Sequence, residues 1–168
     1  MTIAIMLGLL VAPYLISTSL GRIWPPAEVA VQLRGRIGLA LVFLFTAIGH
    51  FVRTGPMVQM LPPSVPARTA IVYFTGGLEL AAAVGLLVPW PRVVRLTGIG
   101  LIVFMIMVFP ANIYSAVSWS GLGSYDMGPW YLLIRGPLQL LLIGWAYWFA
   151  VRSPAPLRPA FADSPKEG

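Results

Sequence analysis

The sequence predicts an all-α integral membrane protein, a compact bundle of helices that crosses the bilayer several times. Three observations carry this. Of 168 residues, 58% are hydrophobic and only 10% are charged, with a mean hydropathy of +0.86. A soluble domain carries about 25% charged residues and cannot cover its surface with so few. Five apolar runs approach or reach the ~20 residues that span ~30 Å of hydrocarbon. Their leucine, alanine and glycine content lacks the alternation of a β-barrel strand, so each run must satisfy its own backbone as a helix.

The first run extends from about Thr2 to Leu20. Basic residues follow it rather than precede it, and no small-residue cleavage pattern occurs before Arg34. It therefore reads as a retained helix, not a signal peptide. The second runs from about Leu33 to Val52; its uninterrupted apolar part, Ile37 to Val52, is short unless Arg34 and Arg36 snorkel to the interface. Arg53 to Arg68 contains Pro56, Pro62, Pro63 and Pro66, which exclude a regular helix. A short amphipathic cover along the interface is expected there.

The third run is Thr69 to Trp90, followed by a tight turn from Trp90 to Arg95. The fourth runs from about Leu96 to Val117, with a kink expected at Pro110. Trp119 to Pro129, with Gly121, Gly123, Ser124, Asp126 and Gly128, reads as a flexible loop edged by Trp119 and Trp130 at headgroup level. The fifth run is Trp130 to Val151. The proline-rich tail after Arg152 reads as disordered.

If all five runs span, Arg22, Arg34, Arg36, Arg92, Arg95, Arg152, Arg158 and Lys166 share one side, and only Arg53 and Arg68 fall in loops on the other. The positive-inside rule then puts the C-terminus in the cytoplasm and the N-terminus outside. The net charge of +6 is thereby assigned to topology and headgroup contacts, not to nucleic acid. The chain has no cysteine, which excludes disulfides, thiol redox chemistry and Cys-ligated metal sites. A single histidine cannot supply a bis-His haem site, and neither a metal nor a covalent cofactor is expected.

Glu79 and Arg135 stand inside otherwise uncharged runs. Ionisable groups at membrane depth are costly and mark functional sites by default. Counting ~1.5 Å of rise per residue puts His50, Glu79, Asn112, Arg135 and Gln139, from four segments, in the outer half of the membrane. Tyr73, Tyr114 and Trp130 fall at similar or shallower depth. Arg135 and Gln139 are four apart and share a face. Two readings stand: a polar pocket open to the outside, or helix glue in which Glu79 and Arg135 form a buried ion pair and Asn112 and Gln139 bond across helices. His50 reads equally as an interface anchor, and Arg53 as a topology determinant. Gly77, Ala81 and Gly85 form a small-residue stripe expected to permit close helix contact away from Glu79.

The order R-x-G-x-A…G-H-F (Arg36 to Phe51), P-P-S-V-P, T-G-G-L-E-L-A-A-A-V-G-L-L-V-P (Thr75 to Pro89), V-F-P-A-N-I (Val108 to Ile113) and R-G-P-L-Q-L-L-L-I-G-W-A (Arg135 to Ala146) resembles the DoxX-like family of bacterial membrane proteins. The match covers about Arg34 to Phe149. The resemblance implies a four-helix transmembrane bundle in the cytoplasmic (inner) membrane, here with one extra N-terminal transmembrane helix. The chain then divides into residues 1–32 (helix and linker), 33–151 (DoxX-like membrane domain) and 152–168 (tail). Wider family members are linked to quinone-dependent thiosulfate oxidation and to accessory roles in redox complexes. The family's recurrent polar positions map onto His50, Glu79, Asn112, Arg135 and Gln139.

These features favour an accessory or ligand-binding subunit of a membrane redox system, taking a quinone-like molecule or a small anion. Arg135 would hold an anionic or carbonyl oxygen, Asn112 and Gln139 would hydrogen-bond it, and Glu79 would orient Arg135 or exchange a proton. Redox subunits or further copies of the chain are the expected partners within the bilayer. The alternatives are a small proton-coupled transporter and a structural or assembly factor. An autonomous enzyme is disfavoured: no activated nucleophile is recognisable, and the depths of His50 and Glu79 differ by more than a helical turn, too far for an acid–base pair.

Overall fold

The apolar runs become helices in a computed structural model that describes residues 2–23, 31–118 and 130–152. They are α1 (Thr2–Ile23), α2 (Val31–Val52), α3 (Thr54–Val58), α4 (Arg68–Leu87), α5 (Pro91–Val117) and α6 (Trp130–Ala146), the last continuing into a π-helical segment, Tyr147–Arg152. No strand occurs among the described residues. The expected loop over Trp119–Pro129 and the tail after Arg152 lie outside them.

Among the described residues four helices are long and apolar enough to cross a membrane: Val31–Val52, Arg68–Leu87, Pro91–Val117 and Trp130–Arg152. α1 contributes a shorter apolar stretch, Ile3–Ile16, whose Met6 and Leu10 join the same core as Leu39, Leu86, Leu101 and Leu142. Large apolar side chains also point outward, with Phe74, Leu96, Met107 and Leu140 each about two-thirds exposed or more. Against water such a surface would drive aggregation, whereas acyl chains are as apolar as leucine.

α2 is the central element, packed against α1, α4, α6 and the π-helical segment. Its end meets the start of α4, where Phe51 stacks on Tyr73 at 5.7 Å between ring centroids, so the two helices are antiparallel. α4 buries Val72, Gly76, Glu79, Ala83 and Leu86, and α5 buries Val94, Gly98, Leu101, Met105 and Asn112. Both sets alternate spacings of four and three, with Val108 filling the remaining step in α5, the seam of near-parallel helix packing. Glu79 and Asn112 thus occupy positions where the pattern would place an apolar residue.

Several boundaries shift from the sequence reading. α5 begins at Pro91 rather than near Leu96, because proline at the first helical position loses no hydrogen bond and is already set for helical φ. The expected Trp90–Arg95 turn therefore contracts to Val88–Trp90. Arg53–Arg68 is not uniformly irregular. It starts with the single turn of α3, where Pro56 falls in the first turn, and continues through turns such as Val65 N–H to Pro62 O at 3.0 Å. α5 continues through Pro110, and α6 through Pro137.

The small-residue stripe divides differently from expectation. Gly77 and Ala81 are exposed, and a Cβ on Gly77 would meet nothing within 4 Å. Close contact is made instead by Gly76 against His50 of α2 and by Gly85 against Thr97 of α5. The buried seam is set by Glu79, and Gly76 lies on it whereas Gly77 is turned ~100° away. Gly77→Ala and Gly100→Ala, both in open space, are accordingly expected to leave the unfolding midpoint in detergent unchanged or slightly raised, by less than ~1 kcal/mol.

The far end is closed by Trp145, whose Nε1–H donates to the Gly35 carbonyl at 2.9 Å and whose ring packs on Phe149 at 5.0 Å. Trp145→Phe keeps an aromatic ring but deletes the donor and part of the packing surface, so a loss of at least about 1 kcal/mol in detergent unfolding is expected.

Candidate functional site

A cavity of about 50 Å³ lies between the long helices. α1 contributes Met6, α2 Val42, Phe43 and Thr46, and α4 Glu79. α5 supplies Phe104, Met105, Val108 and Asn112, and α6 supplies Arg135, Leu138, Gln139 and Leu142. The α6 residues follow the i, i+3, i+4, i+7 pattern of one helical face. A water needs ~10–15 Å³ of such space, so the cavity has room for water or a small ion.

Four of the five residues singled out from the sequence, Glu79, Asn112, Arg135 and Gln139, share this cavity. His50 stands behind Glu79, with its Nε2 3.5 Å from Glu79 Oε2. The Glu79–Arg135 ion pair of the helix-glue reading is not formed; Glu79 meets His50 instead. Arg135 lines the cavity, and no described side chain forms an ion pair or hydrogen bond with its guanidinium.

The depth estimate had kept His50 and Glu79 more than a turn apart, and geometry removes that gap. Side chains lean towards the N-terminus of their own helix. In antiparallel α2 and α4, His50 and Glu79 therefore lean towards each other. Gly76 permits the approach: a Cβ there would come within 2.7 Å of the His50 Cβ.

The imidazole orientation is fixed by main chain. His50 Nδ1 is 2.9 Å from the Val72 carbonyl oxygen. A carbonyl can only accept, so Nδ1 carries a proton. Thr75 Oγ is 3.2 Å from Nδ1 and donates to the Ile71 carbonyl at 2.9 Å. Nε2 is thereby aimed at Glu79. The carboxylate is nine-tenths buried, and its Oε2 has no hydrogen-bond partner at the 3.5 Å separation.

On the opposite wall, Gln139 Nε2 donates to the Met105 carbonyl at 2.6 Å, and Asn112 Nδ2 reaches Gln139 Oε1 at 3.5 Å. Pro110 removes the N–H that would bond the Ile106 carbonyl and loosens the ladder around Met105. Asn112 Oδ1 is buried and without a partner among the described residues. The residues lining the cavity thus include one guanidinium donor and, on Glu79 and Asn112, two buried oxygens without a hydrogen-bond partner among the described residues.

Tyr73, Tyr114 and Trp130 do not line the cavity; Tyr73 and Trp130 face outward. The sequence reading overlooked Met6, Thr46 and Thr75, and the Val72 and Met105 carbonyls. Thr75 alone had a signal, as a hydroxyl one turn before Glu79. The main-chain acceptors have none in side-chain pattern. Among the described residues no group of three or more His, Asp or Glu could hold a metal ion.

Residues 39–150, well over half of the chain, match the family model described as "Domain of unknown function (DUF8561)", and the chain belongs to that family. No curated protein and no solved structure matches it. The matched region includes His50, Glu79, Asn112, Arg135 and Gln139, while Met6 and the rest of α1 precede it.

Proposed function

We propose that this DUF8561 protein is a ligand-binding subunit of a bacterial cytoplasmic membrane whose cavity takes a small anion on Arg135. One observation carries the reading: a guanidinium at membrane depth lines a cavity while the nearby carboxylate is engaged by His50. With the Glu79 carboxylate turned towards His50, the guanidinium has no hydrogen-bond acceptor among the described side chains, and an anion in the cavity would supply one. Asn112 Oδ1 adds an acceptor for a hydroxyl on the ligand or for a water entering with it. A quinone-like head group, also expected from the sequence, is the alternative occupant, with a carbonyl oxygen on Arg135.

The DoxX-like motifs support placing this subunit beside membrane redox partners, and the split of arginines supports an outside N-terminus and a cytoplasmic C-terminus. α1 then crosses the membrane as a fifth helix. Its Met6 at the cavity wall favours an integral role.

Titration of chloride, nitrate and formate into the detergent-solubilised protein, followed by calorimetry, tests the reading. Arg135→Gln is expected to weaken binding roughly 10- to 100-fold, matching ~1.5–3 kcal/mol for a charge-assisted hydrogen bond, with Arg135→Lys intermediate. A wild-type protein that binds none of these anions and carries no copurified quinone overturns it.

A further inference from the structure

We infer that the His50–Glu79 pair is the seat of a proton taken up when an anion enters the Arg135 cavity, so that the site binds an anion and a proton together, one to one. The inference rests on the anion reading above and specifies its chemistry.

The geometry prepares one place for the proton. His50 Nδ1–H is committed to the Val72 carbonyl, so in the neutral imidazole the Nε2 lone pair faces the carboxylate. Two acceptors then oppose each other at 3.5 Å, and Glu79 Oε2, buried, has no donor among the described residues. A proton from the aqueous phase arriving between Nε2 and Oε2 converts that opposition into a charge-assisted hydrogen bond. No other bond is made or broken.

Charge balance requires the proton. With imidazole neutral, carboxylate ionised and guanidinium protonated, the site sums to zero. An anion entering alone leaves one uncompensated negative charge in a low-dielectric interior. An anion entering with one proton on the pair restores zero. Glu79 faces both partners, since its side chain lines the cavity and meets His50 behind it.

Among the described residues no other group competes for the role. The charged side chains acting on the imidazole are Glu79 from α4 and Arg135 from α6. α1 and α5 bring Met6, Phe104, Met105, Val108 and Asn112 to the cavity, none of them titratable, and α2 adds only Val42, Phe43 and Thr46. Arginine stays protonated over the accessible pH range. Tyr73 lies on the outer face against Phe51, and Arg53 is exposed.

Calorimetric titration of chloride, nitrate and formate at one pH, in buffers of different ionisation enthalpy, counts the protons. The wild type is expected to take up close to one proton per anion on the alkaline side of its binding profile, where affinity should fall about tenfold per pH unit. Glu79→Gln should remove both the uptake and the pH dependence, and His50→Gln should do the same, with gel filtration reporting that each variant is folded. Should both variants misfold, the wild-type proton count still decides. Anion binding without proton uptake overturns the inference and leaves the anion site standing. Absence of anion binding removes the site itself, and the inference with it.

Discussion

Gly38→Val is expected to separate α1 from the bundle and to lower stability by roughly 3 kcal/mol, the upper range for overpacking a close contact. A Cβ at Gly38 would overlap the carbonyl oxygen of Leu10 and stand 3.0 Å from its carbonyl carbon. The obstacle is backbone, which no rotamer change can remove, so α1 must move as a body. Met6 and Leu10 would then leave the core, and the cavity would lose one wall. Detergent unfolding measures the loss. Because the chain has no cysteine, Met6→Cys in the Gly38→Val background reports detachment directly, through faster labelling by a thiol reagent. Gly8→Val, on α1 itself but in open space, should leave both readouts near wild type. Equal effects from Gly8 and Gly38 would show that α1 does not depend on this crossing.

Gly76→Val is expected to cost about 1–3 kcal/mol and to abolish proton uptake at the site. Its Cβ would lie 2.7 Å from the His50 Cβ and 3.2 Å from Cγ. The clash is at the root of the histidine, so rotating χ1 cannot relieve it, and α2 and α4 must part. That motion opens the 3.5 Å His50–Glu79 separation and the 2.9 Å bond to the Val72 carbonyl together. Calorimetry and thermal unfolding on the same preparation should therefore fail together. Gly77→Val, one residue on and facing open space, should impair neither. A Gly76→Val protein with wild-type stability and undiminished proton uptake would mean that the helices do not approach this closely.

Much of this was legible in the chain. Apolar run length determined the helices, because hydrocarbon leaves the backbone no other partner than itself. The polar positions stood out for the same reason, as the cost of inserting Glu79 or Arg135 makes either one conspicuous in an apolar run. Boundaries were less legible where proline was involved. Pro91 starts α5 and Pro56 sits in α3, since proline is tolerated in a first turn and excluded only further in.

Which polar group pairs with which was decided by tertiary structure alone. Residue counting gives depth along a perpendicular helix and says nothing of side-chain lean or of how closely two helices cross. By counting, Glu79 belonged with Arg135. The antiparallel lean of α2 and α4, and the absence of a Cβ at Gly76, gave it to His50 instead. Arg135 was thereby left without a direct partner among the described side chains and became the cation facing the cavity. The sequence determined that charges would be buried in this membrane bundle, through composition and period. The three-dimensional crossing of the helices decided which charge would be left to bind something else.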